Sequence, residues 1–334
     1  MKIAFRIAAA VVLLLLAFTF LPAIFTARHA WRTPKPFSGP KVCNPYDALA
    51  SDTHWFRANF HAHSNVWEGK QPPCEVIAAY KKLGYDVAEV SDHGALSDTS
   101  ACNDAFIPTY EHGANLRSVH FSAIGALRTI RDRHPVWVGL SQKQETIDRL
   151  KEVSEFVVVN HPCHNGAFSP SDFSKLEGYD AVDVQGLYCK STEFWDSALS
   201  SGTPAWCFAG DDIHDIRKAG TGARYLYVDA PDTKREDVIR ALRAGHFVCG
   251  FRKDDATDSD VPYPSALAVS NGTISLAIAK KATLVRWIGE EGKVLREDRD
   301  VSSATFPMET HPYVRLEIET ASQRIWTQPV RRCE

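Results

Sequence analysis

The chain has 334 residues, 44% of them hydrophobic and 24% charged, with a formal net charge of -3. That length exceeds the ~100 to 200 residues of one ordinary domain, so a large domain with a smaller module is expected. The composition is that of a globular protein with a full core, and its charge balance offers no basic excess for binding a nucleic-acid duplex.

Met1 to Arg6 is followed by an uncharged apolar run from Ile7 to Thr26, ending at Arg28. About 20 apolar residues make one membrane span, longer than the ~7 to 15 of a cleaved signal core, so an uncleaved transmembrane anchor is expected over residues 1–30. Lys2 and Arg6 on one side face Arg28, Arg32 and Lys35 on the other, which leaves the orientation open. Eight cysteines, at 43, 74, 102, 163, 189, 207, 249 and 333, show no Cys-x-x-Cys spacing. Such a set suits disulfides in an oxidising compartment, so the expected place is the periplasm or extracellular space, anchored to the membrane or secreted if the anchor is cleaved.

Pro34, Pro36, Pro40 and Pro45 make residues 31–50 read as an extended linker. Strand-like runs then follow at 56–63, 86–90, 120–127, 156–161, 181–187, 205–209, 224–228 and 246–251. Amphipathic helices are expected at 74–83, 145–153, 193–199 and 234–244, three of them closed by Gly84, Gly202 and Gly245. Strands alternating with helices argue for a parallel α/β domain over residues 51–261. Beyond 262 the pattern changes to strands alone, at 274–279, 283–288, 313–319 and 324–330, which reads as a small β-sandwich over 262–334.

His61 and His63 lie two apart on a strand, so they share a face and can chelate one metal. The next strand ends in Asp92-His93, a later one in Asn160-His161-Pro162, and another in Asp211-Asp212-Ile213-His214. Four strands thus carry histidine, alone or with an acid, at the same end, where sites in parallel α/β folds gather. Carboxylates with imidazoles, and no paired cysteine ligands, suit zinc, manganese or iron.

In these motifs the segment from about Arg57 to Gly250 resembles the PHP (polymerase and histidinol phosphatase) superfamily of metal-dependent phosphoesterases. The resemblance implies a distorted seven-stranded β/α barrel with two or three divalent ions, giving here an α/β fold with a C-terminal sandwich and an N-terminal transmembrane helix. Carried over residue by residue, it implies His61, His63 and Asp212 on a first metal, Glu111 bridging to a second held by His120 and His161, and Glu68, His93 and His214 on a third. Asp92 resembles a partner that orients a neighbouring ligand. Glu68 stands where relatives more often have Asp, and Thr109 where glycine is usual; Asp104 is the rival to Glu111.

The expected activity is hydrolysis of a small phosphorylated substrate by a metal-bound hydroxide. His164 is the candidate acid for the leaving group. Arg128, Arg217 and Arg224 are candidates for holding the phosphate, preferred over Lys190 for their planar fork. Trp67, beside Glu68, reads as packing or as a pocket wall. Two other readings stay open: amide or ester hydrolysis by a similar metal cluster, and a catalytically silent metal-binding module.

Overall fold

The computed structural model describes residues 2–24, 26, 29–48, 54–253 and 261–334. Arg28 and the expected boundary at residues 50/51 lie outside them. The chain begins with α1 (Lys2–Ile24), β1 (Lys41–Cys43), β2 (His54–Asn59), α2 (Pro73–Lys82), β3 (Val87–Ala88), β4 (Thr109–His112) and β5 (Phe121–Ile124). It continues through α3 (Leu140–Lys151), β6 (Phe156–Val159), α4 (Pro170–Phe173), β7 (Ala181–Asp183), α5 (Thr192–Ser200), β8 (Trp206–Phe208), β9 (Arg224–Ala230), α6 (Arg235–Ala244) and β10 (Phe247–Arg252). The remaining strands are β11 (Pro264–Ser270), β12 (Thr273–Ile288), β13 (Val294–Pro307), β14 (Tyr313–Glu319), β15 (Gln323–Thr327) and β16 (Val330–Cys333).

Local rules account for the helices that pack on the sheets. Pro73 opens α2, where its missing N–H is harmless, and the helix buries Val76, Ile77 and Tyr80 along one stripe. Gly245 closes α6 in the left-handed region, where an added Cβ would also press on the Trp206 ring at 3.0 Å. All four residues of β6, Phe-Val-Val-Val, are buried, as expected of a strand covered on both faces.

The strands form two sheets. One has eleven strands, with β1-β16-β14-β15-β10-β9-β2-β3 in order and β11-β12-β13 joined to it through β12 and β14; the other has five, β4-β5-β6-β7-β8. Among the described strand ladders, β2/β3, β6/β7 and β7/β8 are parallel and the others antiparallel. The expected seven-stranded β/α barrel is therefore corrected. Alternating strands and helices implied parallel neighbours, but β2 pairs antiparallel with β9, β9 with β10, β4 with β5 and β5 with β6. The strands expected to form a separate sandwich instead continue the large sheet, through the β10/β15 ladder.

The anchor is corrected as well. Although α1 is apolar, among the described residues no helix is long and apolar enough to cross a membrane.

Four disulfides join Cys43 to Cys333, Cys74 to Cys102, Cys163 to Cys189 and Cys207 to Cys249. They use all eight cysteines, which suits an oxidising, extracytoplasmic environment. The Cys207–Cys249 bond ties β8 of the small sheet to β10 of the large one. A single bridge between His93 and Glu111 joins the segment after β3 to β4, and another between Ala62 and Ile213 joins the segments after β2 and β8. The histidine motifs lie at these seams.

Candidate metal centre

Eight of the nine candidate ligands sit beside a strand end or on a short strand, and Glu68 lies in the turn after His63. His61 and His63 follow β2, His93 follows β3, Glu111 lies on β4, His120 precedes β5, His161 follows β6, and Asp212 and His214 follow β8. Because β5 is antiparallel to β6, the start of one lies beside the end of the other, with Phe121 opposite Val159. That register puts His120 next to His161 although one precedes its strand and the other follows it.

Glu111, fully buried, is the hub. Its Oε2 lies 3.2 Å from Nε2 of His61, His63 and His93. Its Oε1 lies 3.2 Å from Nε2 of His161 and 3.4 Å from Nδ1 of His120. Asp212 Oδ1 lies 3.3 Å from His61 Nε2 and 3.0 Å from His63 Nε2. Glu68 Oε1, at the more open edge, is 3.1 Å from His93 Nε2 and 3.0 Å from His214 Nε2. All nine residues expected to ligate metal are thus brought together.

Charge holds the cluster in this form. Burial opposes a proton on His63, but its hydrogen bond to Asp212 and the negative charge of Glu111 outweigh it and raise its pKa to about 10. His161 follows the same logic through Glu111 and reaches about 9. Burial works against the ionised forms of Glu111 and Asp212 too, yet the surrounding imidazoles hold both below the usual carboxylate range. A divalent cation would take the place of these shared protons.

The donor atoms fit such ions. Three groups each offer ligand atoms within 4.8 Å of one another: His61, His63, Glu111 and Asp212; His63, Glu68 and His93; and His93, Glu111 and His120. His61 Nε2 and Glu111 Oε2 are buried without a hydrogen-bond partner although they lie 3.2 Å apart. Unpaired lone pairs are expensive to bury, and a cation between them removes that penalty. His214 Nδ1 lies 3.0 Å from the Asp212 carbonyl, a donor arrangement that leaves Nε2 as the acceptor facing the site.

A solved two-domain structure from Bacteroides vulgatus, containing a predicted PHP-like metal-dependent phosphoesterase, is similar to this chain at 13% identity. The likeness covers 90% of this chain and 92% of that one, with a TM-score of 0.47. No family model matches the sequence, and no curated protein does.

The remaining expected site residues scatter. Asp92 accepts bonds from the Ser64 amide at 2.7 Å, from Ser64 Oγ at 2.6 Å and from Ser97 Oγ, fixing the chain directly after His63. His164 stacks on Tyr188 with ring centroids 3.8 Å apart and lies 5.6 Å from the His161 ring. Arg224 donates from Nε to the Gly186 carbonyl, in the loop that packs on His161. Arg217 is largely exposed and clasped by Asp215 through two bonds of 2.8 and 2.9 Å. Arg128 is exposed beyond the end of β5 remote from His120. Asp104 is exposed, and Glu111 alone of the two enters the cluster. Trp67 is 61% exposed, so it packs against little.

Three contributors were not read from the sequence. Asn160 donates to Glu111 Oε1 at 2.7 Å and to Ser122 Oγ at 2.9 Å, so it aims the hub. Asp183 accepts from the His161 amide at 3.2 Å, and burial pushes its carboxyl up to about 6. Tyr188 forms part of the rim; burial first, then the charges of Asp212, Glu111 and Glu68, pushes its phenol up to about 12. Asn160 next to His161, and an acid at the end of the apolar strand β7, were the available signals.

Proposed function

We propose that the chain is a metal-dependent hydrolase of small phosphate esters, working with two or three divalent ions drawn from zinc, manganese and iron. The observation that carries this reading is the division of Glu111, one oxygen facing His61, His63 and His93 and the other facing His120 and His161. A carboxylate shared in this way suits adjacent ions, and adjacent ions suit the charge that a phosphoryl group spreads over its oxygens. The ordered motifs that resemble the PHP superfamily point the same way.

His61, His63, Asp212 and one oxygen of Glu111 would hold one ion. The other oxygen of Glu111 with His120 and His161 would hold a second, and Glu68 with His93 and His214 a third, so that each imidazole serves one ion. When bound, the ions supply Lewis-acid polarisation of the phosphoryl group and an activated water. The chain's own part is to keep the ligands in place. Asp92 fixes the Ser64 turn behind His63, Asn160 aims Glu111, and Asp183 anchors the backbone of His161. With all eight cysteines in disulfides, no thiol nucleophile competes with water. His164, stacked on Tyr188 with its ring 5.6 Å from that of His161, would serve as the acid for the leaving group.

The test is a substrate panel on the purified full-length chain loaded with manganese or zinc. Aryl phosphates should be hydrolysed while aryl acetates and anilides are left intact, and His61→Ala with His63→Ala should abolish the reaction. Phosphatase activity that survives both substitutions overturns the proposal, and cleavage of the amide or ester alone changes the bond assigned.

A further inference from the structure

We infer that Tyr188, stacked on His164 and clipped in place by a disulfide, is a platform that selects substrates carrying a planar ring. The inference rests on the phosphoester reading above and concerns the part of the substrate that is not phosphate.

The ring of Tyr188 lies flat on that of His164, with centroids 3.8 Å apart and planes inclined by 21°. Its edge meets the His161 ring at 5.8 Å and 88°. One face and one edge are therefore covered, yet Tyr188 is 48% exposed. The exposed area therefore belongs to the rest of the ring, including the face turned away from His164, and the edge on His161 keeps that ring adjacent to the cluster. A large aromatic face left open next to a buried polar cluster has no packing role, and base-sized rings stack on such faces with little regard to substituents.

Covalent chemistry holds the stack still. The bond between Cys163 and Cys189 joins the residue before His164 to the residue after Tyr188. The same turn is tied at its other end by His164 N–H donating to the His161 carbonyl at 2.9 Å. A ring fixed in advance loses little freedom when a ligand stacks on it, so more of the stacking energy appears as affinity. None of the expected cations competes for this role: Arg217 is held by Asp215, Arg224 points to the Gly186 carbonyl, and Arg128 lies past the far end of β5.

The test uses binding without turnover. Calorimetric titration of the metal-loaded full-length chain compares benzylphosphonate with ethylphosphonate, which share a headgroup and differ in the ring. The benzyl compound should bind about tenfold more tightly, in keeping with one stacked ring. Tyr188→Ala should erase the difference, while Tyr188→Phe should preserve it. Equal binding of the two compounds to the native chain, or a preference that survives Tyr188→Ala, overturns the platform. A Tyr188→Phe variant that loses as much as Tyr188→Ala overturns it also, by moving recognition from the ring to the hydroxyl. If neither phosphonate binds the loaded chain, the phosphoester reading itself fails and takes the platform with it; if ethylphosphonate binds, that reading stands and the platform is judged alone.

Discussion

Glu111 enters two of the three donor groups, whereas Asp212 and Glu68 each enter one. That membership fixes an order of damage. Glu111→Ala removes a ligand from the groups centred on His61 and on His120, and leaves only the group of His63, Glu68 and His93 whole. It should therefore lower bound metal by as many as two ions per chain. Asp212→Ala and Glu68→Ala should lower it by no more than one each, and Glu68→Ala should disturb the rest least, because Glu68 lies at the exposed edge and Glu111 at the centre. Elemental analysis of the purified chains gives metal per protein, with circular dichroism to show that each variant is folded. The reasoning is refuted if Glu111→Ala keeps the native metal content, or if Glu68→Ala loses more metal than Glu111→Ala.

Asp92→Ala leaves the Ser64 amide without its buried acceptor and frees the turn behind His63, so metal affinity should fall about 10- to 100-fold in a chelator competition. Asp196 and Arg315 form a buried ion pair with bonds of 2.7 and 2.6 Å between α5 and β14; Asp196→Ala strands the guanidinium and should cost about 3 to 5 kcal/mol in urea unfolding. Replacing both Cys163 and Cys189 by serine opens a loop spanning 26 residues, which should remove about 3.5 kcal/mol of stability on chain-entropy grounds while the metal content stays at the native value. Glu319 supplies a pH dependence. Burial opposes its charge, but bonds from Lys253 and Arg286 and the charge of Arg324 prevail and lower its pKa from 4.5 to about 2. A group depressed on folding stabilises the chain above its unfolded pKa and loses that contribution as pH falls through the folded one. Between about pH 4.5 and 2 the native chain should therefore lose stability more steeply than Glu319→Gln, as read from denaturation midpoints.

Six of the candidate ligands were legible because each announces itself locally, whereas Glu68, Glu111 and His120 came only from the resemblance. His61 and His63 lie two residues apart where a strand ends, His93 and His161 follow strands, and the Asp212 and His214 pair does the same, so no knowledge of pairing was needed to collect them. The strands were mostly legible too, since β6, β9 and β14 carry runs of apolar residues. What periodicity cannot supply is the partner. Phe156 to Val159 reads the same whether its neighbour runs with it, as β7 does, or against it, as β5 does. The barrel expectation failed at that point. The strand β13 was missed for a different reason: its Glu297, Asp298, Arg299 and Asp300 resemble a solvated loop, and the structure pairs it with β12 on a largely exposed hairpin. The separate strands expected at 274–279 and 283–288 are one strand, β12, with an irregularity between Ala277 and Ala282 where its pairing shifts.

Backbone strain at two of the ligands bears on how firmly the site is set. His161 and Asp212 have positive φ, 25° and 53°, in the region that L-residues with side chains avoid at a cost of about 1 to 3 kcal/mol each. Both sit where the chain turns sharply out of a strand, and both are restrained on each side. The His161 amide donates to Asp183 and its carbonyl accepts from His164; the Asp212 amide donates to the His61 carbonyl at 2.9 Å and its own carbonyl faces His214. Room for these turns comes from glycine. A Cβ at Gly210 would stand 2.5 Å from His61 Cβ, and one at Gly186 would meet Asp183 Oδ2 at 2.7 Å and His161 Cβ at 3.1 Å. Relaxing His161 to an ordinary φ would swing its ring away from Glu111, and relaxing Asp212 would break its bond to the His61 carbonyl, which ties the β2 and β8 ends together. The strain is therefore held by the same contacts that converge the ligands, and the geometry of the donor set is fixed by the backbone before any ion arrives.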